Sequence, residues 1–471
     1  MKSFFTRGRV ITLAVIVILV VGGWFLFSYA KGHKQEFAVS GLAVFTKVTD
    51  LLPIAPDTKK EIDTVNSLVS TFTKTDGQTH TLLVLLQNNY ELRPGGGFLG
   101  QYGVLKVRDG KIASFTVEDA NLLDQRIVAS ITPPYPLTRY MQIKKWKFRD
   151  SNWSPSFPEN VAKAQYFYRL AGGREQFEGA IAINADVLNH VIGITGPITI
   201  SGFGTYTSEN AAINLEADVE KAYLGDNVPA ELKQARKNVM KRLAAEIVNN
   251  ISSLSDLKKL SDLGLQELRD KNIQLNFTDT NLQKQVADVH WDGTVEKDWS
   301  NDYLMIVDAN MGALKSDYYV KRSLDYVVDF AREKPTATVT YTYDHTATYG
   351  DWRTSDYHSY ARVIAPKGSV YVEGSRVKTG GVSSAESTDW NKTVFGYKID
   401  AIMNQTLPTS ISYTLPDSVT SDNYELLIQK QSGTGTIPVK VTVKTKDKEY
   451  VQTADLTKDL HFSFQTTDQK K

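Results

Sequence analysis

The sequence predicts an α/β domain with a mixed sheet covered by helices, preceded by an N-terminal transmembrane helix and followed by a C-terminal all-β sandwich. Three observations predict this: an apolar run near the N-terminus, strand patterns alternating with helix patterns, and short alternating segments after residue 334. The predicted divisions are 1–9 for a cytoplasmic N-terminus, 10–30 for the membrane helix, 31–76 for a juxtamembrane helical stalk, 77–333 for the central domain, 334–465 for the sandwich and 466–471 for a disordered tail.

The apolar run Val10–Phe27, with Thr12 as its polar interruption, predicts the membrane helix. Extended to Ala30 it gives about 21 residues, enough to span a hydrocarbon core of about 30 Å. Three cations and no acid precede the run, which favours a cytoplasmic N-terminus and an extracytoplasmic bulk, although two lysines follow it. A cleaved signal peptide is the alternative, because Ser28-Tyr29-Ala30 resembles a small-x-small cleavage site, but its apolar region would be shorter.

The composition excludes several kinds of site. The chain has no cysteine, so disulfides, zinc–thiolate sites and cysteine nucleophiles are excluded. Its net charge of +1 provides no global field to attract nucleic acid. The seven histidines are scattered without an HExxH motif, and no GxSxG nucleophile motif occurs. Any recognition of an anion must therefore be local.

The middle of the chain alternates between strand and helix patterns. Asp109-Gly110 predicts a tight hairpin, because this dipeptide supplies the positive φ angles that the turn requires. Helical spacing of apolar residues predicts the packing helices. The predicted strands are Leu82–Leu86, Tyr102–Val107, Lys111–Val117, Gly179–Asn184, Lys271–Phe277 and Tyr303–Asp308. The predicted helices are Gln35–Leu52, Asp57–Lys74, Ser208–Tyr223, Ala230–Ile251 and Leu254–Asp270.

After Lys334-Pro335 the chain changes to short alternating segments separated by Gly, Pro, Asp or Ser. Regular spacing of this kind is typical of a β-sandwich, here of about 130 residues. The predicted strands are Thr336–Tyr343, His358–Ile364, Thr409–Leu415, Tyr424–Gln429 and Val439–Thr445.

The most conspicuous candidate site is the glycine-rich segment Asn88–Gly100. Gly95, Gly97 and Gly100 fit a dinucleotide-binding fingerprint. That fingerprint needs a helix after its last glycine, whereas the alternating residues that follow here predict a hairpin. Nucleotide binding is therefore disfavoured.

A glycine-rich loop can still bind an anion, because its backbone N–H groups approach a ligand closely and Arg93 offers a planar fork for phosphate. The alternative is a tight crossing between strands, with Arg93 in a salt bridge to Glu91 or Asp119. The sequence leaves both readings open. The candidate ligand-binding residues are Glu91, Gly95, Gly96 and Gly97.

A second candidate site is the aromatic and basic segment of residues 144–158, which contains too many prolines and polar residues to form one regular element. Aromatic faces beside Arg149, Asp150 and Asn152 are what a sugar or phospho-sugar site uses. The alternative is a loop pinned by its aromatic residues, with Arg149 and Asp150 paired internally. The candidate ligand-binding residues are Trp146, Asn152 and Trp153.

These segments resemble the hallmarks of a bacterial family catalogued as domain of unknown function 4012. The resemblance covers nearly the whole chain after the membrane helix. It rests on Leu82–Phe98, Arg149–Pro155 with Phe157-Pro158, Ala180–Ile183 leading to Gly196-Pro197, Asp308–Gly312 and Gln429–Gly433.

The order of elements is similar to that of LytR-CpsA-Psr domains, which are membrane-anchored transferases that move glycopolymers from polyprenyl-pyrophosphate carriers onto a cell-wall acceptor. Those domains use arginines for the pyrophosphate and acids for a divalent metal. The likeness implies that Arg93 and Arg149 hold the pyrophosphate and that Asp119 and Asp150 hold Mg²⁺, which would neutralise charge during phosphoryl transfer. The loop from Trp146 to Phe157 would then receive the lipid or sugar.

Two functions follow from these predictions. The first is a phosphotransferase of cell-envelope glycopolymer assembly, with Arg93, Asp119, Arg149 and Asp150 as its catalytic residues. The second is a non-catalytic envelope scaffold or adhesion protein that presents its sandwich to a partner. Convergence of the four residues on one concave pocket would favour the first, whereas dispersal or mutual pairing in a filled core would favour the second.

Overall fold

The computed structural model describes residues 56–220, 239, 242–251, 253–377, 382–387, 390–422 and 424–465. The predicted cytoplasmic N-terminus, membrane helix and C-terminal tail lie outside these residues, as does most of the predicted stalk. Within the described ranges, no helix combines the length and the apolar character of a membrane span. The first compact unit comprises the described residues up to Gln87 with Leu99–Val128 and Gln165–Gly293; the second comprises Asn88–Phe98, Ala129–Ala164 and residues from Thr294 onward.

A five-stranded mixed sheet forms the centre of the first unit, in the order β3-β2-β1-β4-β7. β1 and β4 pair in parallel, whereas β2 with β3 and β4 with β7 pair antiparallel. The hairpin predicted at Asp109-Gly110 is confirmed, with φ angles of 50° and 72° at these two residues. The strands are β1 (Thr79–Asn88), β2 (Phe98–Arg108), β3 (Lys111–Asp119), β4 (Gly179–Asn184) and β7 (Ile273–Phe277), with a separate small sheet of β5 (Ile198–Ile200) and β6 (Gly204–Tyr206).

Helices pack against one face of this sheet, where Leu82, Val84, Ile181 and Ile183 share a core with apolar residues of several helices. The helices, in chain order for both units, are α1 (Pro56–Thr73), α2 (Ala120–Arg126), α3 (Tyr135–Met141), α4 (Phe157–Leu170), α5 (Asp186–Thr195), α6 (Ala211–Glu220), α7 (Leu254–Arg269) and α8 (Thr280–Asp288). Residues 242–250 are also helical.

Sequence patterns locate some of these helices well. α1 and α7 confirm their predictions to within a residue, and Ser253 with Asp256 forms a capping box that fixes the start of α7. The prolines around the beginning of α4 predict an irregular loop there, and this prediction is wrong. Pro158 is nevertheless the second residue of this helix, where a missing backbone N–H costs no intrahelical hydrogen bond.

The second unit contains a sandwich of two six-stranded sheets, with the orders β12-β15-β10-β9-β17-β18 and β13-β14-β11-β8-β16-β19. Buried residues of both sheets, such as Tyr326, Val363 and Val441, form one core. The strands are β8 (Asp302–Val307), β9 (Val320–Asp329), β10 (Thr336–His345), β11 (Tyr357–Pro366), β12 (Val370–Ser375), β13 (Ser383–Ser387), β14 (Lys392–Ala401), β15 (Gln405–Thr414), β16 (Tyr424–Gln429), β17 (Ile437–Lys444), β18 (Glu449–Leu456) and β19 (Leu460–Phe464).

The sandwich begins earlier in the chain than residue 334, where the sequence placed its boundary. β9 pairs with β10 on one side and with β17 on the other, and β8 lies between β11 and β16. A cut at residue 334 would therefore remove an inner strand from each sheet. β8 is buried along its whole length, and such a strand has the same sequence pattern as a buried strand of an α/β domain.

One carboxyl group lies fully inside the sandwich. Asp302 accepts hydrogen bonds from the Tyr326 hydroxyl at 2.7 Å, from the Tyr424 hydroxyl and from the Tyr303 backbone N–H at 2.8 Å. Burial raises the pKa of Asp302 to about 6, although these hydrogen bonds oppose the shift.

We expect Asp302 to make folding more favourable as the pH falls. The pKa of Asp302 is higher in the folded protein than in the unfolded chain, so at a pH between these two pKa values the folded state binds more protons. The free energy of unfolding therefore rises as the pH falls through about 6. Relative to Asp302→Asn, the free energy of unfolding of the natural protein should rise by about 1 kcal/mol between about pH 7.5 and pH 5. Urea denaturation at the two pH values measures it, and a pH-independent difference would contradict the expectation.

Candidate functional site

The glycine-rich loop between β1 and β2 is closely packed within the second unit. The Gly95 N–H donates to the Asn152 carbonyl at 3.0 Å, and the Asn152 side-chain amide donates to the Gly97 carbonyl at 2.5 Å. A Cβ on Gly97 would lie 2.4 Å from the Asn88 carbonyl carbon, and one on Gly95 would lie 2.3 Å from the side-chain nitrogen of Asn160. Both glycines are therefore needed for close packing of the chain.

The segment after β16 also packs on this loop. Gly433 has a φ of +82°, and a Cβ there would lie 2.0 Å from the Gly96 carbonyl oxygen. The Asn89 side chain donates to the Gly433 carbonyl at 3.2 Å, and the Gln431 amide donates to the carbonyls of Arg93 at 3.1 Å and Asp308 at 2.8 Å. Sequence reasoning gave Gln431 no role beyond the family resemblance.

Arg93 is only 1% exposed. Its guanidinium donates to Glu91 Oε1 at 2.8 Å and to the Asn310 carbonyl at 2.9 Å, and its Nε lies 3.7 Å from Asp150 Oδ1. The guanidinium also lies over the Phe98 ring, 5.3 Å from the centroid. Burial raises the pKa of Glu91, although the positive charges of Arg93 and Lys315 oppose the shift.

A second buried ion network lies beside Asn310. The Asn310 side-chain amide donates to Asp317 at 2.8 Å, and the same carboxylate accepts from the Leu92 N–H at 3.0 Å. Arg322 pairs with Asp317 at 2.5 Å and with Asp308 at 2.9 Å. Nothing in the sequence pattern distinguishes Arg322 or Asp317 from the charged residues of an exposed strand, so neither is predicted as a site residue from the sequence.

The aromatic residues of the segment 144–158 hold it in place. The Trp146 indole N–H donates to the Asp150 carbonyl at 2.8 Å, and the Lys163 ammonium lies 4.5 Å from the Trp146 ring centroid. Arg362 lies over the Trp153 ring at 5.2 Å and donates to the Trp153 carbonyl at 3.0 Å. Trp146 and Trp153 therefore face protein cations on at least one side.

The structure brings together only some of the predicted site residues. Arg93, Glu91 and Asp150 converge in the second unit, and Arg149 is the half-buried neighbour of Asp150 in a 3-10 turn, Phe148–Asp150. Asp119 belongs to the first unit, where its carboxylate accepts from the Asn121 N–H and caps α2. In the part of the chain that the structure describes, no group of three or more His, Asp or Glu residues is placed to hold a metal ion.

Some hydrogen-bonding capacity remains around Arg93. Among the described residues, Arg93 Nε, Ser151 Oγ and Asn152 Oδ1 are buried and have no hydrogen-bond partner. A buried polar atom without a partner is costly, so these atoms are the chemical groups with which this region could bind a small polar molecule or water.

No curated protein shows significant similarity to this chain. Among solved structures, the chain is similar to the Lin1025 protein from Listeria innocua, with 14% identity, a TM-score of 0.23, and coverage of 46% of this chain and 79% of that one. A TM-score this low supports no fold assignment, so the likeness to LytR-CpsA-Psr domains stays a prediction.

The family resemblance is confirmed over part of the chain. The matched range contains the glycine-rich loop and the segment 144–158, whereas the resemblances at Asp308–Gly312 and Gln429–Gly433 lie beyond it and stay predictions. Residues 77–219 match the family model described as "Protein of unknown function (DUF4012)".

Proposed function

We propose that this chain is a non-catalytic interaction protein of the cell envelope, in which the β-sandwich is presented to a partner. The envelope location rests on the apolar run at residues 10–30 and on the cations before it. The interaction role rests on two features. The sandwich is large, and the predicted catalytic residue Arg93 pairs with neighbouring side chains of the protein.

One observation carries the proposal. Arg93, the residue expected to hold a pyrophosphate, is 1% exposed. Its guanidinium donates hydrogen bonds to Glu91 and to the Asn310 carbonyl, and Asp150 lies nearby. A ligand phosphate would have to displace Glu91 from a buried ion pair, and the uncompensated carboxylate would then be strongly unfavourable. This is the mutual pairing in a filled core that favours a structural role.

A second candidate is supported by a different observation. Arg93 Nε, Ser151 Oγ and Asn152 Oδ1 retain unused hydrogen-bonding capacity within the described part of the chain. If Asp150 moved away, Arg93 Nε and Ser151 Oγ could each donate a hydrogen bond to a phosphate oxygen, whereas Asn152 Oδ1 is an acceptor and could not. The second candidate is therefore a Mg²⁺-dependent phosphotransferase acting on polyprenyl-pyrophosphate-linked glycans, with the wall polymer as acceptor.

The test compares ligand binding with stability for Arg93→Lys. We expect the full chain to bind no polyprenyl-pyrophosphate glycan saturably, with or without Mg²⁺. Arg93→Lys should lower the melting temperature, because Lys cannot reproduce the geometry of the planar fork.

Arg149→Lys is the matched control, since Arg149 is half-buried, and it should melt close to the natural protein. Mg²⁺-dependent binding that Arg93→Lys abolishes at an unchanged melting temperature would overturn the proposal in favour of the transferase.

A further inference from the structure

The segment from Ala129 to Arg149 carries a concentrated positive charge. It contains five cations, Arg139, Lys144, Lys145, Lys147 and Arg149, and no Asp or Glu, although the whole chain has a net charge of +1. Arg139, Lys144 and Lys145 are exposed, and Lys147 and Arg149 are half-buried. We call the three exposed cations the basic surface.

Apolar residues between these cations fix the segment to the sandwich. Tyr140, Ile143 and Trp146 pack against a buried cluster that includes Leu137 and Met311. The backbone is also held, because the Trp146 N–H donates to the Ile131 carbonyl at 2.8 Å and the Ile143 N–H donates to the Leu137 carbonyl at 3.2 Å. The exposed cations Arg139, Lys144 and Lys145 therefore belong to a segment whose backbone is held in place.

One aromatic residue of this segment is exposed to solvent. Tyr135 is 64% exposed, and its ring packs edge-on against Tyr140 at 6.3 Å. An exposed aromatic ring with a polar tip, next to lysines and arginines, is the combination found where proteins lie at a membrane interface.

We propose that the basic surface docks on an anionic phospholipid bilayer. Lipid phosphates attract lysine and arginine in proportion to their number, and the exposed cations at three positions can contact separate headgroups. The aromatic ring of Tyr135 suits the same interface. This inference rests on the proposed envelope location and adds a contact with the bilayer that is made outside the sandwich strands; the predicted helix at 10–30 would keep the surface close to the bilayer.

The test measures lysine reactivity in the full chain mixed with vesicles. Acylation followed by mass spectrometry compares vesicles of phosphatidylcholine with vesicles that contain about one third phosphatidylglycerol. Lys144 and Lys145 should react about five-fold more slowly on the anionic vesicles, and about 0.5 M salt should restore their reactivity because it screens exposed charges.

Lys367 is the internal control. It is exposed and follows β11, seven residues beyond Tyr360, whose ring stacks on Tyr140 at 5.9 Å. Seven strand residues span about 20 Å, so Lys367 should react equally in both preparations.

The variant Lys144→Glu should weaken the protection of Lys145 without changing the melting temperature, whereas Lys367→Glu should leave that protection intact. Equal reactivity of Lys144 in both vesicle types would overturn the inference. Protection by soluble polyphosphate without protection by vesicles would overturn it in favour of a soluble polyanion. Neither outcome involves Arg93, so the proposed interaction role would be judged separately by its own binding experiment.

Discussion

Arg93→Ala should destabilise the protein by about 3 to 5 kcal/mol, because it leaves the buried carboxylate of Glu91 without its partner. The Arg93 guanidinium also satisfies the Asn310 carbonyl, so the variant loses a second buried hydrogen bond. Urea denaturation of the natural protein and the variant measures the difference.

Two further variants separate the effect of the buried charges on stability from the effect of lost side-chain volume. Arg93→Met combined with Glu91→Gln removes both charges while keeping most of the volume, and should recover part of the lost stability. Arg149→Ala, next to Asp150 but half-buried, should cost less than about 1 kcal/mol. An Arg93→Ala variant as stable as Arg149→Ala would show that the buried ion pair contributes little.

Gly433→Ala should destabilise the protein by about 2 to 5 kcal/mol, because two costs add. A φ of +82° is unfavourable for an L side chain. The new Cβ would also lie 2.0 Å from the Gly96 carbonyl oxygen, so the backbone of the glycine-rich loop would have to move. Thermal and urea denaturation measure the effect.

Gly435→Ala is the matched control for this variant. Gly435 lies two residues further along, and a Cβ there would meet no atom within 4 Å. We expect a change within about 0.5 kcal/mol, of either sign. Similar destabilisation by both alanines would mean that the whole segment, rather than the contact with Gly96, is sensitive to substitution.

Local sequence signals predicted much of the fold. The Asp109-Gly110 hairpin, α1 and α7 depend on turn chemistry, capping and periodicity within a few neighbouring residues. The start of the sandwich could not be predicted in this way. β8 belongs to it through pairings with β11 and β16, and β9 pairs with the distant β17 as well as with the neighbouring β10. Partners far along the chain leave no local signal.

The candidate site shows the same division. Sequence reasoning identified Arg93 and the glycines, and it proposed a salt bridge to Glu91 as one of two readings. The family resemblance includes Asn310, Gln431 and Gly433, but it does not predict that they contact the loop, because these contacts depend on tertiary structure. Sequence motifs therefore identified these segments but not their packing around Arg93.

The hydrogen bond between Gln431 and Arg93 also has a consequence for biosynthesis, because it joins residues 338 positions apart. At roughly 5 to 20 residues per second, the ribosome needs about 17 to 70 seconds to make the intervening chain. Glu91, Asp150 and Asn310, which also contact Arg93, are all made before Gln431, which comes at the end of that interval. The contacts of Gln431 and Gly433 with the loop can therefore form only after most of the chain has been synthesised.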